Sequence, residues 1–228
     1  MNMLSMVIAT IAPGISLLLY FYLKDRYELE PIRLVSKMFL FGALIVYPVM
    51  SIQQAFIQEF GNGYVLLSFF ISGGIEEFFK WFLMYHLIYR HAEFDEPYDG
   101  IVYAVAISLG FATLENVIYG FLLDPTFFEL MLRALLPVSG HALFGVMMGY
   151  YMGRAKFEPK QAYRLMWISL IIPILWHGLY DWLLLSTRSN WVWFMIPLMT
   201  FLWIRALLKI KRSQVKSLPQ VLYRDPKM

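Results

Sequence analysis

Runs of about twenty apolar residues recur along the chain, and their length dictates its solvent. A helix rises about 1.5 Å per residue, so about twenty residues cross a hydrocarbon core of about 30 Å. Seven such spans can be read, over approximately residues 3–23, 34–57, 63–89, 98–122, 131–153, 163–186 and 190–210. Polar breaks separate them at Lys24 to Arg33, Glu59 to Asn62, Arg90 to Glu96, Asp124 to Glu129, Arg154 to Gln161 and Thr187 to Asn190. Of 228 residues, 60% are hydrophobic and 15% charged, against about 25% charged in a soluble domain. A water-facing globule of this size has too little interior for so much apolar surface. The predicted fold is therefore an all-α, polytopic transmembrane bundle. Residues 1–212 read as a single membrane domain and 213–228 as a basic tail. The first span has no basic n-region and no small-residue cleavage site, so it reads as a retained helix.

Seven spans put the termini on opposite sides. Of the 19 Lys and Arg residues, 16 then fall on one side, including Lys24, Arg33, Arg90, Arg154 and the seven from Arg205 to Lys227. Arg133 and Arg188 fall on the other, and Lys80 lies within a span. The positive-inside bias predicts an outer N-terminus and a cytoplasmic C-terminus. The formal charge of +3 is not gathered on a soluble module, which argues against nucleic acid as a partner. With no cysteine there is no disulfide, no thiolate metal site and no cysteine nucleophile. The lipid bilayer is the one partner that composition alone names.

Ionisable groups inside a span cost about 2.5–3.5 kcal/mol each on insertion scales, so each points to function by default. The third span reads Ser72-Gly73-Gly74-Ile75-Glu76-Glu77-Phe78-Phe79-Lys80. Lys80 is three residues from Glu77 and four from Glu76, within reach of either on one helix face. An ion pair explains one glutamate, and the second is left as a candidate general acid or base. In the fourth span, Ala104, Ser108, Ala112 and Glu115 recur at helical spacing, which turns Glu115 toward close-packed protein. Asp99, at the start of that span, reads as an N-cap. In the fifth, His141, Gly145, Gly149 and Gly153 form a small-residue groove along one face. In the sixth, His177 and Asp181 are four apart, so the carboxylate can orient the imidazole. Each group also has a purely structural explanation as a buried, hydrogen-bonded residue. His86 and His91 sit among charges at a span end and read as surface residues.

Depth ties these groups together. Counting from the predicted outer ends, Glu76 lies about 18–20 Å down, Glu115 about 10 Å, His141 about 15 Å, His177 about 14 Å and Asp181 about 8 Å. Four helices of alternating direction thus place polar groups in the outer half of the membrane. Such a set can activate water and stabilise an oxyanion. It can also ligate zinc, with His141, His177, Asp181 and Glu115 as candidates. No HExxH is present and no serine stands in a nucleophile-elbow context. Water activated by glutamate, without a cofactor, is the simplest fit, with zinc as the other possibility. A proton-coupled transporter or a non-catalytic membrane sensor would use the same residue types.

At these positions the chain resembles the PrsW family of bacterial intramembrane proteases. The resemblance is carried by Glu76-Glu77-x-x-Lys80, by Asp99-Gly100-Ile101-x-Tyr103 through Gly110-Phe111-Ala112-x-x-Glu115-Asn116, by His141-x-x-x-Gly145 and by His177-Gly178-x-x-Asp181. These motifs span about residues 70–185 in the family's order. The family is in turn similar to the CAAX prenyl endopeptidase and Abi group, which has a histidine where this chain has Glu115. The resemblance implies a site-1 protease of the bacterial cell membrane that cuts a membrane-anchored anti-sigma factor, or another single-pass protein, on its outer side. It implies that Glu76 and Glu77 position and activate water and that His177 assists as acid or oxyanion donor. Glu115 and His141 complete the site, with Lys80, Asn116 and Asp181 in support.

Overall fold

The computed structural model describes residues 3–123, 125–187 and 190–224. Asp124, Arg188, placed on the outer side above, and Lys227, placed on the inner side, lie outside the described residues. The chain is all-α. In order come α1 (Met3–Tyr22), α2 (Ile32–Leu44), α3 (Val46–Phe60), α4 (Gly73–Leu87), α5 (Asp99–Leu123), α6 (Phe127–Arg133), α7 (Ser139–Phe157), α8 (Ala162–Ser186) and α9 (Trp191–Arg224). A π-helical turn, Leu66–Ser72, leads into α4, and another, Ala134–Val138, joins α6 to α7.

Among the described residues these elements make seven passes through the helical bundle. α2 and α3 form one pass, broken at Ile45, because Pro48 has no N–H to offer the Leu44 carbonyl. α6 and α7 form another. Six passes are long and apolar enough to cross a membrane. The seventh, Leu66–Leu87, carries the charged trio Glu76, Glu77 and Lys80. Gly61 ends α3 at φ +82°, a left-handed conformation that glycine adopts without strain. Thr126 and Glu129 start α6 with a reciprocal capping box.

α5 and α7 are the two central helices, buried along nearly their whole inner length. α5 is flanked by α1, α2 and α7, and α7 by α5, α8 and α9. The glycine groove on α7 is the seam between them. A Cβ on Gly149 would overlap the Gly100 carbonyl, and one on Gly153 the Pro97 carbonyl. Backbone on backbone cannot yield, so only glycine permits this approach.

One end of the bundle gathers the loops at 23–31, 88–98 and 158–161 with the far part of α9. Gln214 Nε2 donates to the Lys24 carbonyl at 2.6 Å, Tyr98 N to Ser217 Oγ at 3.2 Å and Lys156 Nζ to the His91 carbonyl at 3.2 Å. This is the end rich in basic residues. α9 runs through residue 213, where the tail was expected to begin, and Ser213 and Ser217 are buried in it. Asp99 opens α5 but does not cap it. Its Oδ2 accepts the backbone N–H groups of Asp95 at 2.8 Å and Glu96 at 2.7 Å, closing the turn behind the helix instead.

Candidate active site

The π-turn before α4 brings that helix against α8 at a crossing of two glycines. A Cβ on Gly73 would stand 3.0 Å from Gly178 N and 3.1 Å from the Ile174 carbonyl, and one on Gly178 would meet the Phe69 ring. This close approach sets the Glu76-Glu77 turn of α4 directly against His177 of α8. The second π-turn, containing Pro137, does the same for His141 at the start of α7, with Ser139 Oγ donating to the Leu135 carbonyl it leaves exposed. Two such turns feeding two site-bearing helices fit the frequent use of π-bulges at functional sites.

Glu76, Glu77, Lys80, His141 and His177 are all buried. One donor atom from each of Glu76, Glu77, His141 and His177 lies within 4.8 Å of the others. Lys80 Nζ sits among them, donating to Glu77 Oε1 at 2.8 Å, to Glu76 Oε2 at 3.4 Å and to His141 Nδ1 at 3.0 Å. It also stands 4.1 Å from the centre of the Phe111 ring. Because the ammonium only donates, His141 Nδ1 is an acceptor and the ring proton lies on Nε2. That N–H donates to Glu115 Oε2 at 3.0 Å. His177 Nδ1–H donates to Glu77 Oε1 at 2.9 Å, while its Nε2 lies 3.9 Å from Glu76 Oε2 and 3.6 Å from Asp181 Oδ2. The tightest partner of His177 is thus Glu77, from another helix, rather than Asp181 from its own. Asp181 accepts a hydrogen bond from Ser72 Oγ.

These groups surround a cavity of about 180 Å³ whose wall includes Glu76, Glu115, Arg133, His141, His177 and Asp181. Glu77 is wholly buried behind Glu76 and takes no part in the wall. Two grooves share the cavity's wall on either side of α3. One of about 330 Å³ runs past Gln53, Ile57, Leu67, Glu76, Leu184 and Leu185, and one of about 280 Å³ past Met50, Glu115, Leu122 and Arg133. The cavity lies in the half of the bundle away from the basic end, as the depth count predicts. On α5, Glu115 is eight residues, about 12 Å, from the helix end at Leu123.

The structure brings together every expected site residue except Asn116. Asn116 faces α1 and α6, donating to the Thr10 carbonyl at 2.9 Å and accepting from Arg133 Nε at 2.8 Å. Three contributors went unread in the sequence. Gln53 Nε2 donates to Glu76 Oε1 at 3.0 Å and to the Ile71 carbonyl at 3.2 Å. Its signal was available: a Gln-Gln pair inside an apolar span. Ser72 was visible only as a neighbour of the glycines. Arg133 was counted as a basic residue of the outer side, and its position on the cavity wall depends on the fold of α6.

The donor set fits a zinc-type ion, with two imidazoles, two carboxylates and a Glu77 Oε2 that is buried without a hydrogen-bond partner. Residues 30–206 match the family model described as PrsW family intramembrane metalloprotease. The chain is 48% identical to Protease PrsW of Geobacillus kaustophilus over 96% of its length and 97% of the relative's. It is 47% identical to Protease PrsW of Bacillus subtilis, over 96% of its length and all of the relative's. With Protease PrsW of Clostridioides difficile it shares 31% identity over 83% of each chain. No solved structure matches the chain.

Proposed function

The chain belongs to the PrsW family of intramembrane proteases, multi-pass proteins of bacterial membranes, and on that premise we propose that it hydrolyses a single-pass membrane protein with water activated by Glu76. The meeting of Glu76, Glu77, His141 and His177 around one internal cavity carries this proposal.

The two glutamates divide the work by position. Glu76 faces the cavity and takes a proton from water as the water oxygen attacks the substrate carbonyl. Glu77, behind it, accepts from His177 Nδ1–H and leaves Nε2 turned toward the cavity. The His177 imidazolium donates from Nε2 to the developing oxyanion and then gives that proton to the amide nitrogen as the C–N bond breaks. Lys80 balances the carboxylate charge, which a medium of low dielectric would otherwise penalise. Fixed donors in such a cavity act without reorganising, and this is where electrostatic stabilisation is strongest. The substrate is a membrane-anchored anti-sigma factor or a similar single-pass protein, cut on its extracytoplasmic side. The motif resemblance, the site's distance from the basic end and the apolar groove beside α3 support that choice.

A metal-dependent route is the second reading, favoured by the orphaned Glu77 Oε2 and the fit of the four donors. An ion held by Glu76, Glu77, His141 and His177 would polarise the scissile carbonyl and acidify water.

Co-expression with single-pass substrates tests the proposal. Glu76→Gln, Glu77→Gln and His177→Ala are each expected to lower cleavage by about 100-fold or more while insertion stays normal. Retained cleavage in all three ends it. Metal analysis of purified protein, with activity followed through chelation, separates the two routes. The glutamate route expects full activity without metal. Stoichiometric zinc whose removal abolishes activity and whose return restores it establishes the other.

A further inference from the structure

The basic end of the bundle contains a second cluster that the protease chemistry does not use. Asp25 follows α1, Glu30 precedes α2, Glu96 precedes α5 and Asp99 opens it. Glu30, Glu96 and Asp99 are buried. One carboxylate oxygen from each of Asp25, Glu96 and Asp99 lies within 4.8 Å of the others. Among the described residues, none of the four carboxylates makes an ion pair. Lys156, nearby, donates to the His91 carbonyl and sits over the Phe94 ring.

How the carboxylates are held points to a ligand. Asp99 Oδ2 is fixed by two backbone N–H groups and Asp25 Oδ1 by Tyr27 N at 3.3 Å, while Asp99 Oδ1 and Asp25 Oδ2 have no hydrogen-bond partner. Glu96, which is 1% exposed, receives no close hydrogen bond on either oxygen and faces the Asp25 carboxylate beside Ser217. Ser213 Oγ, fully buried and unpartnered, lies on α9 one turn before Ser217, which accepts from Tyr98 N beside the cluster. Carboxylate oxygens from three chain segments thus face one another with no ion pair among them. Among the described residues Lys156 is the one cation near enough to act on Asp99, and such crowding is costly unless a proton or a cation lies between the carboxylates. We propose that Asp25, Glu96 and Asp99 bind a divalent cation of the magnesium–calcium class. An all-oxygen set of carboxylates suits that class and not zinc. The ion clasps the α1–α2 loop and the α4–α5 loop beneath α9. It is separate from the catalytic cavity, since Asp99 and Glu115 are sixteen residues, about 24 Å, apart along α5.

The test uses the full chain in nanodiscs of neutral lipid, stripped with EDTA and titrated separately with calcium chloride and magnesium chloride. The expected result is a saturable rise in Tm with either salt and one ion bound per chain by calorimetry. Binding should weaken at least tenfold in Glu96→Gln and in Asp25→Asn, while the Glu76→Gln/His177→Ala double variant binds as the parent does. Asp25 lies at the rim of the cluster, so its variant keeps the test alive if Glu96→Gln fails to fold. Binding lost in the double variant and kept in Glu96→Gln would place the ion at the catalytic cavity and overturn the proposal. So would the absence of a saturable response to both salts, which would mean that the carboxylates share protons only.

Discussion

Lys80 is the residue on which the site's charge balance turns. Its ammonium is fully buried and reaches both glutamates and His141, so it neutralises charge that the bilayer would otherwise exclude. Removing one partner of a buried pair costs about 3–5 kcal/mol, because the other charge is left uncompensated. Lys80→Met is therefore expected to lower Tm sharply or abolish accumulation. Adding Glu77→Gln should recover part of the loss. A double-mutant cycle on thermal unfolding in detergent checks this, and additive losses would show that the pair is not coupled. The pairing itself was legible in the sequence, since the i, i+3 and i, i+4 spacings are fixed by helix geometry alone.

At the scale of elements, two helix crossings decide whether the site exists. The α5–α7 seam needs glycine where the backbones meet, and the α4–α8 crossing at Gly73 and Gly178 carries the glutamates onto His177. Gly149→Ala is expected to destabilise by several degrees in Tm, because its Cβ would overlap backbone atoms of Gly100 and Ile101 that cannot move aside. Gly140→Ala provides the contrast. Its Cβ would make ordinary contacts of 3.7 Å with the Phe144 ring, so its Tm should stay near that of the parent. Equal losses at the two positions would refute the backbone-contact explanation. The sequence showed the groove on α7 but not what fills it. It gave no sign of the two π-turns, whose shift in register depends on packing against neighbouring helices.

The whole molecule separates two chemistries by the thickness of the bundle. Buried histidines and glutamates lie toward one end, and the orphaned carboxylates lie at the basic end. The positive-inside bias predicts a cytoplasmic basic end and a candidate cavity toward the outer leaflet. Single cysteines report this directly, since the chain has none of its own. Asn62→Cys is expected to react with an impermeant maleimide in intact cells, and Lys211→Cys only after lysis. The reverse pattern would invert the molecule and move the cleavage side to the cytoplasm.

The sequence by itself determined the solvent, the all-α class and the set of polar residues within its apolar runs. Each is a local property, set by runs of about twenty apolar residues and by spacing along one helix. It also fixed approximate depth, because rise per residue is constant, and depth placed Glu76, Glu115, His141 and His177 in one layer. Depth does not say which way a helix is turned. That His177 is held by Glu77 and not by Asp181, that Glu76 rather than Glu77 faces the cavity, and that Gln53, Ser72 and Arg133 join them follow from helix rotation and crossing. Those are set by side chains meeting across the bundle, and only the tertiary structure decides them.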